Sequence, residues 1–161
     1  MKARGWWSWA AALLVAGAVG GCSAVGTMSP EADQGAKALK PPEGKALVYV
    51  VRPASLGLAV SMEVKCDDRS VGTTGGKRFV YTVVEPGEHL IRSKAENWSE
   101  VKLSAEAGKT YFLEQKVRMG FLAARNTLVL LEEAEGRQKL TQCTLSSDLA
   151  APEAPAQPPA K

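Results

Sequence analysis

The chain has 161 residues, enough for one ordinary domain with some chain to spare, so its length argues against a multidomain enzyme. With 45% apolar and 23% charged residues it falls outside the disordered class. The formal charge is +3, but Lys2 and Arg4 lie in a leading segment read below as removed; without them 18 basic residues face 17 acidic ones, too small an excess to make nucleic acid a default partner.

Residues 1–21 read as an export signal: a basic start with Lys2 and Arg4, an uncharged apolar run over residues 6–19, then small residues. As a helix that run would span about 21 Å, short of the roughly 30 Å hydrocarbon core, which disfavours a permanent transmembrane helix. Val19-Gly20-Gly21-Cys22 resembles the bacterial lipobox. The resemblance implies cleavage before Cys22, acylation of its sulfur and new amine, and a lipid membrane as a partner; the alternative is an ordinary signal with Cys22 incidental. Ser23 in the next position favours the periplasm-facing side of the outer membrane by the same resemblance. Trp6, Trp7 and Trp9 leave with the signal.

Residues 22–41, rich in Gly, Ala, Ser and Pro, are predicted to be a lipidated flexible tether. Strand grammar follows over residues 42–145. Residues 46–52 (ALVYVVR) form a β-branched and aromatic run, and Val60, Met62, Val64 and Cys66 alternate with polar residues at period two. Asp67-Asp68-Arg69-Ser70 reads as a turn before a short strand at residues 71–73. Phe79, Tyr81 and Val83 share one face of a further strand, and Glu85-Pro86-Gly87-Glu88 turns the chain into residues 89–93. Strands around Val101 and Leu103, over residues 110–117 and over residues 127–131 complete the series. Residues 132–142 (EEAEGRQKLTQ) predict a short helix despite Gly136. The expected fold is all-β, an antiparallel seven-stranded sandwich with a short C-terminal helix, followed by a disordered Ala/Pro-rich tail at residues 146–161.

Candidate sites are few. With Cys22 consumed by lipid, Cys66 and Cys143 remain, and a disulfide between them is preferred over two separate buried thiols; it would close a loop of about 78 residues, worth about 4.5 kcal/mol. Nothing resembles a redox-active Cys-x-x-Cys. His89 is the only histidine, and its place after Pro-Gly-Glu fits a structural hairpin residue better than a catalytic one. Asp67 and Asp68 lack calcium-loop spacing, no Cys/His cluster completes a zinc site, and a solvated turn is the better reading, so no metal is assigned. Residues 73–77 (TTGGK) miss the spacing and context of a phosphate loop. The apolar and basic stretch at residues 119–126 (MGFLAARN) is more informative. If exposed, Phe121, Leu122 and Arg125 form a partner-binding surface; the weightier reading is that Phe121 and Leu122 fold back and plug one end of the body.

In order, Ala46-Leu47-Val48-Tyr49-Val50-Val51-Arg52-Pro53, Val84-Glu85-Pro86-Gly87-Glu88-His89 and Ala107-Gly108-Lys109-Thr110-Tyr111-Phe112 resemble the small bacterial lipoprotein domain of unknown function 2846, across residues 42–145. The hairpin and turn motifs are also similar to PEGA and transthyretin-like domains. The resemblance implies a transthyretin-like (prealbumin-like) sandwich and an envelope location, and it brings no catalytic motif. The expectation is a non-enzymatic envelope lipoprotein without cofactor, binding another envelope component, protein or glycan. The rivals are a small-molecule or carbohydrate carrier with an end-loop pocket near Trp98 or Phe121, and a hydrolase built on His89. An exposed Phe121, an apolar pocket, or an acid or nucleophile beside His89 would favour each in turn.

Overall fold

A computed structural model describes residues 26–58, 60–121 and 124–150. The expected export signal, Cys22, Leu122 and residues 151–161 lie outside the described residues. The chain is mostly β, in two sheets with two short helices, and its elements in order are α1 (Pro30–Lys37), β1 (Ala46–Arg52), β2 (Met62–Cys66), β3 (Arg69–Thr74), β4 (Arg78–Val84), β5 (Gly87–Lys94), β6 (Trp98–Ala105), β7 (Thr110–Met119), β8 (Ala124–Leu131), α2 (Glu133–Thr141) and β9 (Thr144–Leu145).

Strand β1 sits in the middle of the five-stranded sheet β8-β7-β1-β4-β9 and is buried along its whole length. Ala46, Val48 and Val50 face a core shared with the second sheet, β3-β2-β5-β6, where they meet Val64, Cys66, Ile91, Leu103 and Leu113. Leu47, Tyr49 and Val51 face a second core, roofed by Ala36 of α1, Leu140 of α2 and Cys143. A strand covered on both faces must be apolar at every position, which is why ALVYVVR does not alternate. In β2 the alternation is kept: Met62, Val64 and Cys66 are buried, while Glu63 and Lys65 are only half-buried on the other face.

Several expectations are corrected. The sheets hold nine strands among the described residues rather than seven, and the larger sheet is mixed, because β7 runs parallel to β1 and β9 parallel to β4. Part of the expected tether is folded: Ser29 caps α1 by accepting from Ala32 N–H at 3.3 Å, Asp33 accepts from Leu145 N–H at 2.7 Å, and Ala36 O accepts from the Tyr49 hydroxyl at 2.6 Å. The expected tail begins as structure too, since Ala150 N–H donates to Val71 O and Thr73 N–H donates to Asp148 O. The Cys66–Cys143 disulfide is absent. Both thiols are free and buried, Cys66 in the core between the sheets and Cys143 in the core beneath the helices, on opposite faces of the larger sheet.

The open edges of the two sheets are stitched together. On one side Asn97 acts as a surrogate strand: its Oδ1 accepts from Asn126 N–H and its Nδ2 donates to Asn126 O, both at 2.9 Å, while Ser99 Oγ accepts from Leu128 N–H at 2.8 Å. On the other side residues 146–150 bridge β4 and β3, and Ser146 Oγ donates to Thr73 O at 2.6 Å. Unpaired edge groups are thereby satisfied at both seams. No helix among the described residues is long and apolar enough to cross a membrane.

Candidate functional site

The β7–β8 hairpin changes character along its length. In β7 Phe112 to Gln115 are buried, whereas Lys116, Arg118 and Met119 are exposed; in β8 Ala124 and Asn126 stay buried, with Ala124 O bonded to Glu96 N–H and Asn126 to Asn97, so the distal half exposes its β7 strand and its tip. There Arg118 lies opposite Arg125 and Met119 opposite Ala124. Like charges in register are unfavourable, and neither arginine is ion-paired with a carboxylate among the described residues. At the tip, Met119 is 79% and Phe121 is 93% exposed. At 93% exposure Phe121 does not plug the body. Arg125 is exposed beside it. Beside the distal half of the hairpin is a cavity of about 300 Å³, lined by Asn97, Arg118, Met119, Arg125, Asn126 and Thr127. Its lining is mostly polar and basic and includes neither Trp98 nor Phe121.

A second surface lies on the outer face of the smaller sheet. Trp98 is 45% exposed, with Lys94 Nζ 4.9 Å, Arg92 Cζ 5.6 Å and Lys65 Nζ 5.9 Å from its ring centre. Arg92 is already paired with Asp68, which makes that aspartate a structural partner of β5.

His89 does have an acid and a thiol beside it. Its Nδ1 lies 2.5 Å from Asp67 Oδ2 and its Nε2 lies 2.7 Å from Glu85 O; Asp67 Oδ1 accepts from Leu90 N–H at 2.9 Å. Cys66 Sγ lies 3.7 Å from the same Asp67 Oδ2. Burial acts to lower the His89 pKa, yet its bonds to Asp67 and Glu85 outweigh that and raise it. Burial acts to raise the Asp67 carboxyl, and the bonds from His89 and Leu90 hold it below its usual value. Burial, then the Asp67 charge, push the Cys66 thiol up to about 12. A triad needs the ring between nucleophile and carboxylate. Here the carboxylate stands between ring and thiol, so the arrangement does not make a nucleophile–base pair.

The three donor atoms nevertheless converge within 4.8 Å of one another, in a group that could hold a metal ion. Sequence reasoning missed this because His89 is 22 residues from Asp67, and only the β2–β5 pairing, with Cys66 opposite Ile91, brings them together.

A family model described as a protein of unknown function (DUF2846) matches residues 42–127, more than half of the chain. An uncharacterized protein of Haemophilus influenzae is 28% identical over 127 residues, covering 78% of this chain and 76% of that protein. No solved structure matches. The matched segment holds β1 with Arg52, the Cys66-Asp67 turn, His89 and most of the β7–β8 hairpin, and on that match the chain belongs to the DUF2846 family of proteins of unknown function.

Proposed function

We propose that the chain is a non-enzymatic envelope lipoprotein: acylated Cys22 holds it on the periplasm-facing side of the outer membrane, and the β7–β8 tip docks another envelope component. The two-sheet body is read as a variant of the transthyretin-like sandwich. One observation carries the proposal, the exposure of Met119 and Phe121 on a hairpin with two arginines that no carboxylate among the described residues neutralises. Phe, Met and Arg are enriched in protein interfaces, where a few buried anchors supply most of the binding energy. A protein partner is therefore favoured over a glycan. Leu122, next in sequence, adds a further apolar side chain to the segment.

The anchor is short. Gly26 O already accepts from Ser147 N–H, so four peptide steps separate Cys22 from the folded body, a reach of at most about 14 Å. A wholly flexible tether of 19 residues would have spanned roughly 24 Å. The body is thus held close to the headgroups, which limits its partners to components at or near the membrane face.

The test is made in intact cells with the full chain. Fatty-acid label should enter the wild type and be lost in Cys22→Ser. A photocrosslinker at Met119 should capture one identified envelope protein, with at least tenfold less product in Phe121→Ser and none from a crosslinker at Lys102 on the outer face of the smaller sheet. Capture of glycan would transfer the surface to the other partner class, and an unlabelled, freely soluble chain would refute the anchor. The basic cavity supports a second reading, a carrier of a small anion; it predicts ligand binding that survives Phe121→Ser and is lost in Arg118→Ala.

A further inference from the structure

We propose that Cys66 Sγ, Asp67 Oδ2 and His89 Nδ1 bind a zinc-class divalent transition-metal ion, leaving one coordination position open toward solvent. This site is separate from the hairpin tip and stands independently of the docking proposal.

The hydrogen bonds of the ring fix where a cation would sit. Glu85 O can only accept, so His89 Nε2 carries a proton in the 2.7 Å bond between them. The Asp67 carboxylate accepts as well, so in the metal-free chain the ring is an imidazolium whose Nδ1–H donates to Asp67 Oδ2 at 2.5 Å, while Cys66 Sγ faces that oxygen at 3.7 Å. The proton between ring and carboxylate occupies the position that a metal ion, with the thiol alongside, would take.

The supporting contacts are those of a metal site. A ligating histidine characteristically donates its other N–H to a backbone carbonyl or carboxylate, and ligating carboxylates are themselves hydrogen-bonded. Glu85 O fills the first role, and Leu90 N–H, bonded to Asp67 Oδ1 at 2.9 Å, fills the second. Asp67 adopts φ 51°, a left-handed conformation that turns its carboxylate back over β5 immediately after Cys66.

Donor chemistry selects the ion. Thiolate, imidazole and carboxylate are all zinc ligands, whereas calcium and magnesium take oxygen. Zinc bond lengths in a tetrahedron put nitrogen and oxygen ligands about 3.3 Å apart and sulfur and oxygen about 3.5 Å apart. The sulfur–oxygen spacing is close to that already, and the His89–Asp67 contact must widen by under about 1 Å. The Asp67 side chain is 46% exposed against 14% for His89, so the open position lies on the Asp67 side. On binding, the thiol proton and the proton shared by ring and carboxylate pass to solvent, and the ion takes three protein ligands.

The experiment strips the full chain with a chelator and titrates it with Co²⁺, then Zn²⁺. One equivalent of Co²⁺ should produce a thiolate-to-cobalt charge-transfer band and the visible spectrum of a four-coordinate ion, both abolished by Zn²⁺. Cys66→Ser should lose the charge-transfer band, while Cys22→Ser and Cys143→Ser keep it. Because Cys66 is a core residue, Asp67→Asn and His89→Gln serve as second variants: Asn tolerates the left-handed turn, and each should weaken binding at least tenfold with unchanged circular dichroism. Absence of the band in the full chain, its loss in Cys143→Ser or Cys22→Ser, or unchanged affinity in both Asp67→Asn and His89→Gln would overturn the proposal.

Discussion

Among the described residues Arg52, at the end of β1, is the largest fully buried side chain, and none of their carboxylates pairs with its guanidinium. Its Nη1 donates to Val60 O and Thr74 O, and its Nη2 to Leu56 O and Gly57 O, so four backbone carbonyls of the loop after β1 and the end of β3 converge on one cation. A planar fork can serve them together where a lysine ammonium, a single point, cannot. Arg52→Met should strand those carbonyls and cost about 3 kcal/mol or more in urea denaturation, and Arg52→Lys should recover only part of the loss. This also accounts for Arg52 in the resemblance: its guanidinium positions the loop after β1. Gly136 is a second residue whose neighbourhood reverses a local rule. In an isolated helix Gly→Ala gains about 1 kcal/mol, but a Cβ at Gly136 would lie 2.2 Å from Phe112 Cγ. Gly136→Ala should therefore lower stability, by about 1–3 kcal/mol, with the thermal midpoint as the measurement.

Elements were legible where burial is one-sided or continuous. The period-two pattern of β2 placed Met62, Val64 and Cys66 inward, and α2 falls within the residues expected of it. The helix α1 was missed because its buried contribution is Ala36, with Ala32 partly buried, too little apolar bulk for a detectable period, although Ser29-Pro30 is a good N-terminal signal. The disulfide expectation failed for a related reason: parity shows that a side chain points inward but not into which of two cores. The sheet edges depend on single side chains. Asn97→Ala removes the amide that pairs with Asn126 across the seam, and should cost about 1–3 kcal/mol. Hydrogen exchange should show Asn126 and its neighbours in β8 opening first.

At the scale of the molecule, the segments flanking the strands close the structure. Residues 146–150 supply the β3 seam, and Gly72, at φ 146°, permits it, since a Cβ there would lie 2.4 Å from Asp148 O. A chain stopped after Leu145 keeps every strand yet loses these bonds. It should unfold at lower urea than one stopped after Ala150, and bind more of an apolar dye through the exposed β3 edge. The folded body thus extends beyond the resemblance-based core of residues 42–145, because α1 and residues 146–150 both pack and bond onto it.

The amino-acid sequence by itself determined the β character, the doubly apolar β1, the turns and the family, because these rest on neighbours in the chain and on its apolar period. Tertiary structure alone decided which sheet each strand joined, that the two thiols lie in different cores, that Phe121 projects instead of plugging an end, and that His89 meets Cys66 and Asp67. Each of those depends on a pairing between distant segments, whose partner and register are chosen by the packing of the whole and leave no local signature in the residues concerned.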